Sequence, residues 1–221
     1  MISIVADFPP APRGAGLRGE PAWDIALLFP PQGEWTEEEY LALKTNHLIE
    51  LSEGRLEVLP MPTPFHQSIL LFLFQLLDAH VKARQLGEVL LAPLPVRLWS
   101  GKMREPDILF LRPGRIQNRM RPPEGADLAM EIVSEGEQHR ARDLIIKRQE
   151  YYLARIEEYW IVDPQEMKIT VLVPGPESYR VHGEFTPSSL ATSLLLPGFS
   201  VDVAAAFAAG DGPSLAQPPL A

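Results

Sequence analysis

The chain of 221 residues contains no cysteine. That excludes disulfides, thiolate metal sites and cysteine nucleophiles. Its most apolar stretch, Ile69 to Leu77, is too short to span a bilayer, so no membrane association is expected. Met1 to Pro10 has neither a basic start nor a long apolar centre, so no secretory leader is expected. Together with the missing cysteines this fits a reducing cytoplasm. No Gly-x-Ser-x-Gly elbow, Walker loop or Gly-x-Gly-x-x-Gly run occurs. The five histidines, His47, His66, His80, His139 and His182, lack zinc-ligand spacing. Cations are scarce as well. Twenty basic residues face 29 acidic ones, for a net charge of −9, which argues against broad affinity for phosphate backbones.

What is present is enough for one domain with a sizeable core, since 46% of the residues are apolar. Residues 1–33, rich in Pro, Gly and Ala, read as an N-terminal arm, 34–207 as the folded domain and 208–221 as a flexible tail. Charge is uneven along the chain. Seven basic residues lie between Arg97 and Arg121 against Glu105 and Asp107 alone. That stretch could face phosphate or simply be a solvated loop.

Thr36-Glu37-Glu38-Glu39 has capping-box spacing and predicts a short helix. His47 to Leu51 and Arg55 to Leu59 predict a hairpin turned at Ser52-Glu53-Gly54. Pro64 to Gln85 predicts a long helix with almost no polar face, buried on both sides, one of which could meet a second subunit as a homodimer. Strands are expected at Val89 to Leu98 (interrupted by Pro93 and Pro95), Ile108 to Leu111, Leu128 to Val133, Glu158 to Val162 and Met167 to Val173. A helix from about Glu137 to Ala154 separates the third from the fourth. Tyr179 to Val203 predicts short strands or loops with Leu194, Leu195 and Leu196 packed inward, and Ala204 onward a frayed tail. This order implies an α/β fold, a mixed β-sheet flanked by helices with an N-terminal hairpin.

Three residues carry the chemistry. Asp107 heads a strand after Pro106, Glu131 interrupts the apolar run from Leu128 to Val133, and Lys147 lies one helical turn after Asp143. Mg²⁺ or Mn²⁺ needs only one or two carboxylates besides water and substrate oxygens. Asp107, Glu131 and the Ile132 backbone carbonyl could supply that set if their strands pair. Lys147 could orient an attacking water or stabilise developing charge. Asp143, Lys147 and Tyr151, spaced by four, share one helix stripe, and Arg140 and Arg142 flank it within reach of phosphates. Each has a plainer explanation when read singly: Pro-Asp is ordinary turn chemistry, and Asp143 with Lys147 could be a surface pair. Glu50 and His66 could be a paired strand carboxylate and a helix-start residue, or could support the site. Glu131 is the strongest pointer, because a charge in an apolar strand needs a partner or a metal.

These residues bear a family likeness. His47 to Gly54, His66, Glu105-Pro106-Asp107, Asp127 to Ser134, Asp143 with Lys147 and Tyr151, Glu158-Tyr159-Trp160-Ile161-Val162-Asp163-Pro164 and Leu194 to Phe199 together resemble the Uma family of restriction endonucleases. The likeness runs from about Trp35 to Phe207. It implies the PD-(D/E)XK nuclease fold, Asp107 and Glu131 as metal ligands, and a catalytic lysine. The usual lysine position, two residues after the glutamate, is Val133 here, and the likeness transfers that role to Lys147. The chain departs from the family pattern at Glu135, where proline is usual, and at Arg155, where glycine is usual. The expected function is metal-dependent phosphodiester hydrolysis, with DNA favoured over RNA as substrate. The alternative is a non-catalytic nuclease-fold module that binds nucleic acid or a protein partner.

Overall fold

The computed structural model describes residues 29–45 and 47–212. Most of the expected N-terminal arm and the end of the expected tail lie outside them. Thr36 caps helix α1 (Glu37–Ala42), and both halves of the capping box form. Strands β1 (Ile49–Ser52) and β2 (Arg55–Val58) make the hairpin, with Glu53 and Gly54 at positive φ in its two-residue turn, as a tight hairpin requires.

The long helix α2 (Pro64–Arg84) starts at a Thr63 cap and ends where Gln85 turns left-handed. The expected strand from Val89 to Leu98 is in fact two, β3 (Glu88–Leu91) and β4 (Val96–Trp99), which belong to different sheets. The physical reason is Ala92-Pro93-Leu94-Pro95: neither proline can donate to a ladder. A strand with no apolar signature, β5 (Lys102–Arg104), completes a small antiparallel sheet in the order β2-β1-β5-β4.

The chain passes from β5 through Glu105-Pro106-Asp107 into the main sheet at β6 (Ile108–Leu111). After β7 (Leu128–Ile132) come helix α3 (Glu137–Ala141), a π-helical turn (Arg142–Ile146) and helix α4 (Lys147–Leu153). Then follow β8 (Glu158–Asp163), β9 (Lys168–Pro174) and β10 (Tyr179–Phe185). The main sheet runs β10-β9-β8-β7-β6-β3, antiparallel except for the central β7–β8 pair. Both central strands are buried along their length, as a strand covered on two faces must be. A small ladder of β11 (Leu190–Thr192) and β12 (Ser200–Asp202) leads into helix α5 (Val203–Gly210).

The sheet therefore separates two cores. Leu128, Met130 and Ile132 of β7 pack toward α2 and α5, while Ala129 and Val133 face Tyr151 and the α3–α4 layer. Two expectations are corrected here. The start of the segment expected to fray from Ala204 onward is ordered: α5, which ends at Gly210, buries Val203, Ala206 and Phe207 in the core it shares with α2. It thus covers part of the second apolar side of α2, though Leu71 and Leu76 stay exposed. Leu196 is buried, but Leu194 is not turned inward and is half exposed. No helix among the described residues is long and apolar enough to cross a membrane.

Gly87 joins α2 to β3 at φ +148, and a Cβ there would collide with the Leu111 carbonyl. Gly87→Ala is expected to destabilise the fold by roughly 1–3 kcal/mol, read as a lower thermal midpoint. An unchanged midpoint would contradict this packing.

Candidate active site

The β6–β7 register pairs Ile108 with Met130 and Leu109 with Ala129. One residue further, Asp107 stands opposite Glu131, so both carboxylates leave the same face of the sheet, within reach of each other. One more step places Ile132 opposite Pro106. Proline has no N–H, so the ladder offers the Ile132 carbonyl no donor. The Ile132 N–H in turn donates to Asp107 Oδ2 at 2.7 Å. His66 Nε2, from the first turn of α2, lies 3.2 Å from that same oxygen. Against an ionised carboxylate, which only accepts, Nε2 is the donor of this pair.

Glu131 is 3% exposed. Its Oε1 accepts from Lys147 Nζ at 2.9 Å and from the Tyr151 hydroxyl at 2.5 Å. Lys147 Nζ also lies 3.3 Å from Glu50 Oε1 and 3.5 Å from Asp143 Oδ1. Asp143 and Lys147 are thus no surface pair; both are buried. The π turn helps arrange this. Residues four apart drift around a regular α-helix, and the wider turn from Arg142 to Ile146 offsets the drift. The Tyr159 hydroxyl pins it by donating to the Asp143 carbonyl at 2.9 Å.

The result is a cavity of about 180 Å³ whose polar lining includes His66, Glu105, Asp107, Glu131, Asp143 and Lys147. Glu50 and Tyr151 stand behind it, holding Lys147 and Glu131. Carboxylates outnumber cations. Burial pushes the Glu131 carboxyl up, Lys147 opposes this, and the charges of Asp107, Asp143 and Glu50 add to the upward push. Burial also raises Glu105, which with the nearby Glu50 charge reaches about 7. Burial disfavours the Lys147 ammonium, but Glu131, Glu50 and Asp143 outweigh it and keep the group charged. A cluster with surplus buried negative charge must retain a proton or accept a cation.

The donor set suits a hard cation. Asp143 Oδ1 is buried without a hydrogen-bond partner. Hydrogen bonds hold Asp107 by Oδ2 and Glu131 by Oε1, leaving Asp107 Oδ1 and Glu131 Oε2 as acceptors. Among the described residues no three His, Asp or Glu side chains converge as a ready-made cage. The fit is therefore to an ion that takes few protein oxygens and keeps its waters, as Mg²⁺ does.

A family model described as "Putative restriction endonuclease", Uma2, matches residues 37–204. The chain belongs to the Uma2 family. A solved structure titled as that of "a putative nuclease belonging to DUF820", from Anabaena variabilis, shares 21% identity and a TM-score of 0.64. The likeness covers 79% of this chain and 98% of that one. At this identity it speaks for the fold, which is restriction-endonuclease-like. No curated protein matches the chain.

Several parts of this Uma2 site were hidden from sequence reasoning. Arg104, Lys102 and Glu150 look like surface charges but are buried together behind Glu50. Their one signal is position: Arg104 abuts Glu105-Pro106-Asp107, and Glu150 follows Lys147 by three. The basic stretch around Asp107 is also different from expectation. Arg97 pairs with Glu37 and Glu124, Arg112 with Asp127 and Glu157, Arg115 with Asp127, and Arg119 with Glu88. Arg97, Arg112, Arg115 and Arg119 thus carry acidic partners rather than standing as free charges. Arg140 forks onto Asp163, away from the cavity, whereas Arg142 lines it.

Glu50 generates a pH dependence. Burial opposes its ionisation, yet Lys147 and Arg104 hold its carboxyl at about 2, below the ordinary 4.5. A lowered carboxyl stabilises the fold fully above its unfolded value, and that contribution fades as pH falls from about 4.5 towards 2. On the order of 3 kcal/mol should disappear across this window. Urea midpoints measured from pH 6 to pH 3 should fall steeply for wild type and less for Glu50→Gln. Equal acid slopes would contradict the pairing.

Proposed function

We propose that the protein is a metal-dependent endonuclease that hydrolyses phosphodiester bonds, with DNA as the favoured substrate. The observation that carries this reading is the pairing of Asp107 and Glu131 on one sheet face, with the Lys147 ammonium bonded to Glu131. Family membership supports nuclease chemistry, and a nuclease acts on nucleic acid.

Asp107, Glu131 and the Ile132 carbonyl would hold Mg²⁺ or Mn²⁺. When bound, such an ion lowers the pKa of a coordinated water and offsets charge on the phosphate. The protein's own groups supply the rest. The Ile132 N–H and His66 fix the Asp107 carboxylate, so that its free oxygen faces the cavity. Tyr151 and Lys147 fix Glu131 in the same way. The Lys147 ammonium, bonded to Glu131 in the cavity lining, would orient the attacking water and stabilise the charge that builds on the non-bridging oxygens. Burial of Lys147 strengthens that interaction by excluding water.

One observation favours the rival reading of a binding module: Arg97, Arg112, Arg115 and Arg119 are paired with carboxylates away from the cavity, whose lining holds a single arginine, Arg142. Plasmid nicking with Mg²⁺ or Mn²⁺ separates the two. Wild type should nick, and Glu131→Gln and Asp107→Asn should each lose at least about a hundredfold in rate. Wild type inert with both metals, or Glu131→Gln equal to wild type, would overturn the nuclease reading.

A further inference from the structure

Behind the cavity lies an ion cluster centred on Arg104, whose members stand outside the cavity lining. Arg104 is 1% exposed and spends every side-chain nitrogen on carboxylates. Nη1 donates to Glu50 Oε2 at 2.7 Å and to Glu57 Oε2 at 2.6 Å. Nε and Nη2 donate as a fork to Glu150, at 2.7 and 2.9 Å. Lys102 Nζ closes the far side by donating to Glu150 Oε1 at 2.8 Å and to Ser52 Oγ at 2.6 Å. Glu50 in turn uses its other oxygen, Oε1, to accept the Glu105 N–H at 2.9 Å and to face Lys147 Nζ at 3.3 Å.

We propose that Arg104 is a positioning residue for Lys147, setting where the ammonium points by controlling both its helix and its competing partner. Glu150 lies on α4 one turn after Lys147, so the bidentate fork fixes the helix against β5. Glu50 is the partner. With Arg104 on Oε2 its charge is shared, and Lys147 is held at 2.9 Å from Glu131 but at 3.3 Å from Glu50. Without Arg104, Glu50 becomes a fully buried carboxylate with Lys147 as its main counter-charge. An uncompensated buried charge is the costliest arrangement available, so the ammonium moves onto Glu50 and leaves Glu131. Arg104 reaches no substrate, and its effect passes through Glu50 and Glu150.

The kinetic consequence rests on the nuclease reading; the geometric one does not. The test is a crystal structure of Arg104→Met together with nicking kinetics. Lys147 Nζ should lie beyond about 3.5 Å from Glu131 Oε1. The value of kcat should fall at least about tenfold, because small misplacements of a reacting group are expensive, while KM for DNA stays within about twofold. Arg104→Lys, which keeps a cation beside Glu50, should retain the Lys147–Glu131 contact and restore kcat to within about threefold. Arg104→Gln carries the same expectation as Arg104→Met and leaves a donor for the buried carboxylates should the methionine variant not fold. An intact Lys147–Glu131 contact with wild-type kcat in a folded Met or Gln variant overturns the proposal. So does an Arg104→Lys variant as impaired as Arg104→Met. If wild type nicks no DNA, the nuclease reading fails and the crystallographic distance alone decides the role of Arg104.

Discussion

One buried ammonium organises this molecule. Lys147 reaches Glu131 of the main sheet, Glu50 of the hairpin sheet and Asp143 of its own helical segment. A buried charge is tolerated only when it is fully paired, and removing one partner of a buried ion pair costs on the order of 3–5 kcal/mol. The two sheets and the α3–α4 layer are therefore held in one arrangement by the same contacts that shape the cavity. The passage Glu105-Pro106-Asp107 sits at the joint. Its first residue gives an N–H to Glu50, its second leaves the Ile132 carbonyl without a ladder donor, and its third faces Glu131.

The arrangement holds more negative charge than its cations neutralise. Burial first, and that surplus after it, push Glu131, Asp143 and Glu105 toward their protonated forms, and the surplus gives a divalent cation an electrostatic reason to enter. On the outer surface the opposite holds. Arg97, Arg112, Arg115 and Arg119 are each met by acidic side chains, so contact with a phosphate backbone would require exchanging those partners. Such binding should be salt-sensitive in the usual way, yet weaker than the count of arginines suggests.

Much of this was legible in the sequence. Glu131 stood out because an apolar strand exposes the cost of a charge, and Pro106 marked Asp107 as the head of a strand. The spacing of Asp143, Lys147 and Tyr151 gave one face of a helix, and Thr36 and Pro64 marked helix starts that the structure places where they were expected. What stayed hidden shares one physical cause. Lys102, Arg104 and Glu150 are charged residues on short or amphipathic elements, where exposure is the ordinary expectation. Only their pairing across sheets explains their burial, and pairing at a sequence distance of almost fifty residues leaves no periodic trace. The division of Val89 to Leu98 between two sheets was foreshadowed by its prolines. Helix α5 was not, because alanines read equally well as a fraying end until α2 offers them an apolar face.

The most direct measurement is anomalous diffraction from crystals soaked in Mn²⁺. The expected result is a single strong peak bonded to carboxylate oxygens of both Asp107 and Glu131, absent from Glu131→Gln crystals grown and soaked alike. A wild-type cavity without manganese at saturating concentration, or manganese bound only elsewhere, would contradict the assignment of these two carboxylates to a catalytic cation.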